Sequence, residues 1–476
     1  MKTTNLWSVS KIDSVLVYIV GYLLFMSSIL SLQNYFSIYI PKYWVFVFGF
    51  IGCCFYYILS DTDSFIQRGS TKHFLIISVF VIILLRLIWI LVVPTIPFSD
   101  FEVYHNFGIF ISKQFPIHLL SIDYDARGFG YSFVLGIIYK IFGVSLFAAK
   151  LLNVFLSALT GILLYLIAGS LFDECTARIT TVLYSIWPAQ IMYNSVLASE
   201  HLFIFFIFLG IAMFIGAIKV KPDDAFTHIF LAGVIFGLAY TVRFLSIIIV
   251  ATGFMTLLFF QEHPLKNRIR SSLLLISGFA IVWILFTGLG AAVDIPSDPR
   301  TGIQNSLLMG TNYEYTGSWN LVDSQIWENN SPEEAKKIAF QTGLSRIAEN
   351  PGGFLKLIFE KFSVIWGNES FGAYWSTVNL DSTKSTDSIL QNLSLILAVP
   401  QFYYFGILFF SLLGCYKLKN TNLNIGIRFL FIIFLIFVIL HSFLEVQSRY
   451  HYPWELIFII LGGYGIACKP VIPCDP

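Results

Sequence analysis

Asp100 and Glu102 stand directly after a long apolar run, in the stretch PTIPFSDFEVYHNFG, where a membrane-anchored chain would hold them at the lipid surface. A carboxylate there can take the proton from an acceptor hydroxyl, with Asp100 as base and Glu102 as its partner or as a metal ligand. Asp100, Glu102 and His105 could also approach one divalent metal ion. The same acids suit the plain start of a solvated loop. Late in the chain, LEVQSRYHYPWE packs Glu445, Arg449 and His451 between two apolar runs. Arg449 and His451 suit a lipid phosphate, which arginine can grip in bidentate fashion. Tyr450, Tyr452 and Trp454 fit interfacial anchoring equally well. Glu200 opens an apolar run after NSVLASE and, with Tyr104, is a candidate to line the same pocket as Asp100. Arg243 lies in a tight turn between two runs, a second candidate for holding phosphate. Arg86 lies inside a run, about two turns below Asp100 by helix geometry. A charge at that depth faces a cavity or partner, unless it snorkels to the surface.

The elements that must position these groups are membrane helices. Of 476 residues, 57% are hydrophobic and 12% charged, and mean hydropathy is +0.77. That leaves too little charge to cover a soluble surface. A net charge of +1 gives no basic field and argues against nucleic acid as a partner. Apolar stretches at 12–31, 41–60, 73–93, 145–171, 178–194, 198–218, 227–242, 244–260, 271–291, 396–414, 428–444 and 452–468 predict an all-α polytopic protein with about twelve spans. The run after Lys11 reads as the first permanent span rather than a cleaved signal. Lys2, Lys11, Arg68, Lys72, Arg178, Lys219, Lys221, Lys266, Arg268, Arg270, Lys417, Lys419 and Lys469 all fall on one face when the spans alternate. By the positive-inside rule both termini are then cytoplasmic. Cys53 and Cys54 fall in a span, and Cys175, Cys415, Cys468 and Cys474 at or near inside loops, so no outside disulfide is expected.

The polar segments 94–144, 194–200, 292–395 and 445–451 then gather outside, where no nucleotide is expected. A transferase there needs a group already activated on a membrane carrier, such as a polyprenyl phosphate sugar, with cations or a metal to steady the leaving phosphate. Residues 101–113 fit an amphipathic interfacial helix, and 130–143 a re-entrant or interfacial segment. Within 292–395, a Pro/Asp turn region runs from Asp294 to Arg300. Ser331, Pro332 and Glu334 then predict a capping box and a helix that stops before Pro351. GGFLKLIFEKFSVIW follows as an amphipathic helix. This segment reads as a small subdomain that roofs the site and binds acceptor.

In order, the pieces PTIPFSDFEVYHNFG, ARGFGYSFVLGIIYKIFG, SIWPAQIMYNSVLASEHLF and RYHYP resemble the family 39 glycosyltransferases. That group includes protein O-mannosyltransferases and lipid A aminoarabinose transferases, of GT-C membrane fold. The resemblance covers roughly 73–290 and 440–455. It implies Asp100 as the first-loop catalytic acid, Arg127 and Arg449 as holders of the donor phosphate, and Glu200 as a pocket residue. Two helices within 1–72 precede the family's usual first span, ahead of a core over 73–291, the 292–395 subdomain and C-terminal helices over 396–476. Gly-Phe replaces the family's usual Pro-Pro after Arg127, and 292–395 matches no known acceptor class. The expected activity is transfer of a sugar from a polyprenyl phosphate donor to a glycan, lipid or protein acceptor, on the outer face of a bacterial cell membrane. A polysaccharide polymerase or ligase is the alternative, and a transporter ranks last because polar residues gather at one surface rather than at the midplane.

Overall fold

The computed structural model describes residues 9–37, 69–114, 129–219, 222–292, 302–419 and 421–467. Almost all of them are helical. Eight helices are long and apolar enough to cross a bilayer: Lys11–Tyr35, Thr71–Val92, Leu146–Leu171, Glu200–Ala217, Ala225–Val242, Leu265–Gly288, Leu393–Leu418 and Ile425–Phe443. Each coincides with an expected span, because an apolar run in hydrocarbon can satisfy its backbone polar groups only within a helix. The expected span 41–60 lies outside the described residues, as do the Asp294 to Arg300 turn and Cys53, Cys54, Cys468 and Cys474.

Shorter pieces complete the bundle. Ser246–Phe260 and Tyr452–Ile466 have 15 residues each, and Phe129–Phe142 has 14. At 1.5 Å per residue these reach about 20–23 Å, short of a hydrocarbon core of about 30 Å. Phe129–Phe142 packs along Asp100–Gln114. The contact is close because a Cβ on Gly136 would come within 2.6 Å of Ile111.

The run 178–194 departs from expectation. It is two helices, Glu174–Ser185 and Pro188–Tyr193, rather than one continuous span. Pro188 lacks an N–H and disfavours helical geometry in the residue before it, so the helix restarts with proline in its first turn. The segment still runs the length of the bundle. Near its start, Glu174 accepts hydrogen bonds from Thr71 at 3.0 Å and Arg178 at 2.7 Å. Just past its end, the hydroxyls of Ser195 and Thr95 meet at 2.8 Å. Thr71 and Thr95 flank the same helix, Thr71–Val92.

Arg86 explains how such a break survives in an apolar interior. Fully buried, its guanidinium donates to the carbonyls of Ser185 at 3.0 Å, Tyr184 at 3.2 Å and Ile82 at 3.1 Å, and to Gln190 Oε1 at 2.6 Å. Its charge also faces the negative end of the Glu174–Ser185 helix. Arg86 therefore bridges the helix break, where the sequence suggested a pocket.

Residues 302–391 form short helices: Ile303–Gly310, Leu321–Asn329, Pro332–Glu349, Pro351–Trp366, Phe371–Thr377 and Lys384–Gln391. The Pro332 and Pro351 starts fall where expected. The capping box does not close, since the Ser331 hydroxyl donates to the Glu334 carboxylate at 2.8 Å instead of accepting from the backbone. Asp323 holds this region together through Arg346 at 2.8 Å and Asn312 at 2.8 Å. Gly310 lets it meet the late turn: a Cβ there would fall 2.3 Å from the Leu444 carbonyl carbon. Beside it, Glu445 N–H donates to Ser306 O at 2.7 Å and Val446 N–H to Gly317 O at 3.0 Å. Lys361, buried below, donates to Gly310 O at 2.8 Å and Ser442 O at 2.9 Å. Burial lowers its ammonium from 10.5 to about 7, with Glu445 opposing the shift.

Two outcomes follow. Arg86→Met strands several buried carbonyls and should cost about 3 kcal/mol or more, read as a lowered melting temperature in detergent. Between pH 7 and 10.5 the unfolded chain keeps the Lys361 proton that the folded chain has released, so stability rises with pH across that window. Lys361→Met should flatten the rise, measured as melting temperature against pH.

Candidate active site

The site begins where Thr71–Val92 ends. Residues 94–96 run beside 379–381, with Ile96 N–H donating to Asn379 O at 3.0 Å and Asp381 N–H to Pro94 O at 2.9 Å. The isolated bridge between Thr95 and Leu380 is the β pairing found among the described residues. The Thr95 hydroxyl donates to Ser376 O at 2.6 Å, and the Thr95 carbonyl accepts from the buried Lys150 ammonium at 2.8 Å. Ser99 then takes a left-handed conformation, φ 57°, which a residue with a Cβ adopts at a cost. The turn aims the helix Asp100–Gln114 inward and makes Asp100 its first residue. A carboxylate is favoured there by the helix dipole.

Asp100, Tyr104, Glu200, Arg243 and Arg449 come together in this structure. Arg449 Nη2 lies 2.9 Å from Asp100 Oδ2, and its Nε 3.8 Å from Glu200 Oε1. Arg243 Nη2 lies 2.7 Å from the same Glu200 oxygen, while its Nε donates to Ser199 at 3.1 Å. The Arg449 guanidinium sits over two rings, 5.2 Å from the centre of Phe101 and 5.1 Å from that of Trp375. Burial works against its charge, but Glu200, Tyr193 and Asp100 outweigh burial and hold the guanidinium well above its ordinary value. Burial also raises the Tyr104 phenol, with Asp100 adding to the shift. Two cations and two carboxylates balance in formal charge. Arg449 Nε makes no hydrogen bond among the described residues. It lines a crevice of about 10 Å³ that it shares with Glu200, Arg243 and Tyr450, room for roughly one water-sized group.

Other expected residues lie elsewhere. Glu102 is exposed, two positions round the helix from Asp100. His105 pairs with the Tyr139 hydroxyl at 2.7 Å. Asp100 thus pairs with Arg449 and His105 with Tyr139, while Glu102 stays exposed. His451, expected beside a phosphate, is fully buried with Nε2 2.5 Å from Glu369 Oε2. Arg127 lies outside the described residues. Sequence reasoning missed Phe101 and Trp375, the rings flanking Arg449, because an aromatic near the bilayer reads first as an interfacial anchor. It also missed Glu369, an acid in the loop segment NESFG with no spacing to mark it.

The fold and the site define an all-helical, multi-pass membrane protein with a charged cluster at one end of its bundle. The family model described as dolichyl-phosphate-mannose-protein mannosyltransferase matches residues 126–288, within the stretch that carries the sequence resemblance. This match falls on the protein O-mannosyltransferases that the sequence resembles. Among solved structures, the oligosaccharyltransferase AglB from Archaeoglobus fulgidus, in complex with an inhibitory peptide and a dolichol-phosphate, is 15% identical, with TM-score 0.49 over 84% of this chain and 50% of its own. ArnT from Cupriavidus metallidurans bound to undecaprenyl phosphate is 11% identical, with TM-score 0.41 over 83% of this chain and 78% of its own. The chain spans about half the length of the oligosaccharyltransferase it matches. Among curated proteins, no sequence matches this chain.

The cluster makes a prediction of its own. Arg243→Ala leaves Glu200 buried with weaker compensation and should cost about 3 kcal/mol. Adding Glu200→Gln should recover part of that loss. A double-mutant cycle of melting temperatures measures the coupling.

Proposed function

We propose that the cluster is the centre of a glycosyltransferase that moves a sugar from a polyprenyl phosphate donor to an extracytoplasmic glycan, lipid or protein. The carrying observation is the Asp100–Arg449 ion pair at 2.9 Å, with Arg243 joined to it through Glu200. Asp100 is the general base that takes the acceptor proton, and the two arginines steady the phosphate as it leaves. In this structure Asp100 occupies the arginine face that a phosphate would take. Donor binding therefore exchanges one anion for another at Arg449 and frees the carboxylate for the acceptor. Glu200 keeps the two guanidinium groups side by side against their mutual repulsion.

Two further features support the reading, one for a lipid-linked donor and one for the side on which it is used. An apolar cavity of about 690 Å³ starts at Ile248, in the first turn of the helix after Arg243, and continues past Met255 and Phe259. Its lining suits an isoprenoid chain. The basic loops lie at the opposite end from Asp100 in the alternating arrangement, which supports an outward-facing site. Glu102 and His105, near the surface of the Asp100 helix, are left as groups an acceptor could meet, and Arg127 as a further phosphate ligand.

Asp100→Asn should abolish transfer by about a thousandfold or more, while the variant folds and still binds donor. Transfer assays with purified protein and a panel of polyprenyl phosphate sugars provide the test, and full activity removes Asp100 as base. Arg449→Ala should mainly weaken donor binding, seen as a raised KM for the lipid sugar; an unchanged donor affinity removes it from the phosphate site.

A further inference from the structure

Apart from Glu369 and Glu455, the buried carboxylates among the described residues are paired with arginine. Asp13 meets Arg428 at 2.7 Å, Asp323 meets Arg346 at 2.8 Å and Glu200 meets Arg243 at 2.7 Å. Glu369 and Glu455 break that pattern. Both are wholly buried, and among the described residues no lysine or arginine pairs with either. Their common neighbour is His451, whose Nε2 lies 2.5 Å from Glu369 Oε2 and 3.5 Å from Glu455 Oε2. One ligand atom from each residue falls within 4.8 Å of the other two.

The local partners do not satisfy this group. Glu369 Oε1 accepts from Trp187 Nε1 at 2.9 Å. Neither oxygen of Glu455 has a hydrogen-bond partner among the described residues, nor does His451 Nδ1. The rings of Trp366, Phe371 and Tyr404 lie 5.4 to 5.9 Å from the imidazole and close off water. Two carboxylates side by side in such surroundings do not both stay charged unless something positive lies between them; otherwise one of them takes up a proton. A proton on the imidazole supplies one positive charge against two negative ones. A divalent cation supplies both.

We propose that Glu369, His451 and Glu455 bind a divalent transition-metal ion, of the zinc or manganese class, in a buried structural site separate from the Asp100 cluster. One imidazole nitrogen and two carboxylate oxygens are a ligand set of that class. Ligand atoms about 2.0–2.2 Å from such an ion stand roughly 3–3.5 Å apart. The 3.5 Å contact already has that spacing, and the His451–Glu369 contact has to open by about half an ångström to reach it. The ion joins three elements: the loop between Pro351–Trp366 and Phe371–Thr377, the 3-10 turn Ser448–His451, and the helix Tyr452–Ile466. That turn also carries Arg449, so the metal fixes the backbone from which Arg449 reaches Asp100. Glu369, His451 and Glu455 are positioning residues in this scheme.

Metal content of the purified full-length protein, by elemental analysis after loading with Zn²⁺ or Mn²⁺ and washing with a weak chelator, tests this. The expected result is about one ion per chain in the wild type and in Asp100→Asn, with loss of the ion in Glu455→Gln and Glu369→Gln. Co²⁺ loading should give ligand-field absorption in the wild type that Glu455→Gln lacks, and strong chelator should lower the wild-type melting temperature only. A chain without stoichiometric metal whose Glu455→Gln variant melts at or above the wild type overturns the proposal, because the group is then a proton-sharing triad. An ion that persists in both glutamine variants but is lost in Asp100→Asn overturns it too, by placing the metal at the Asp100 cluster. None of these readouts uses transfer activity, so failure of the glycosyltransferase reading leaves the result intact.

Discussion

A carboxylate removed from water must have a positive partner, and most of this structure is arranged around that requirement. Desolvating an ion costs several kcal/mol even after relaxation, which neither helix propensity nor apolar packing can offset. Asp13 pulls the first helix onto Arg428 of the Ile425–Phe443 helix. Asp323 folds the 302–391 region around Arg346. Asp100 and Glu200, from two segments far apart in the chain, are drawn to Arg449 and Arg243. At the cluster the same force that assembles the fold leaves charge concentrated around one small crevice.

Buried cations without a carboxylate follow the matching rule with backbone carbonyls as partners. Arg86 spends its donors on Ile82, Tyr184 and Ser185, and Lys361 on Gly310 and Ser442. Lys150 holds the Thr95 carbonyl. In each case the cation sits where the helical hydrogen-bond ladder is interrupted: at the Pro188 break, at the meeting of Gly310 with the late turn, and just beyond Val92. Irregular backbone inside a membrane bundle needs such donors.

How much was legible beforehand depended on the range of the signal. Apolar runs are local, so eight of the expected spans appear as helices with nearly the expected limits. The break at 178–194 was also encoded locally, in Pro188, but the surrounding apolar run outweighed one residue. Of the candidate site, Asp100, Glu200, Arg243, Arg449 and Tyr104 were singled out because ionisable or polar groups at an apolar boundary stand out. That Asp100 and Arg449 meet, though 349 positions apart in the chain, followed from placing both on one membrane face beside the donor phosphate; the role of Glu200 between the two arginines did not. His451 was found for its type and misplaced in its role: an imidazole two residues from an arginine reads as its companion, yet the 3-10 turn sends the two side chains in different directions. Trp375 and Glu369 carried no local mark at all.

The short pairing of 94–96 with 379–381 ties the approach to Asp100 to the segment that precedes Lys384–Gln391. Hydrogen bonds at 2.9 and 3.0 Å in both directions make this contact resist sliding more than separation. A molecule that docks on the 302–391 helices and shifts them along this seam would drag Pro94 to Ile96 with them, and through the strained Ser99 turn would rotate the first residue of the next helix. Docking there and the orientation of Asp100 would then be one mechanical event, with the strain at Ser99 acting as the spring.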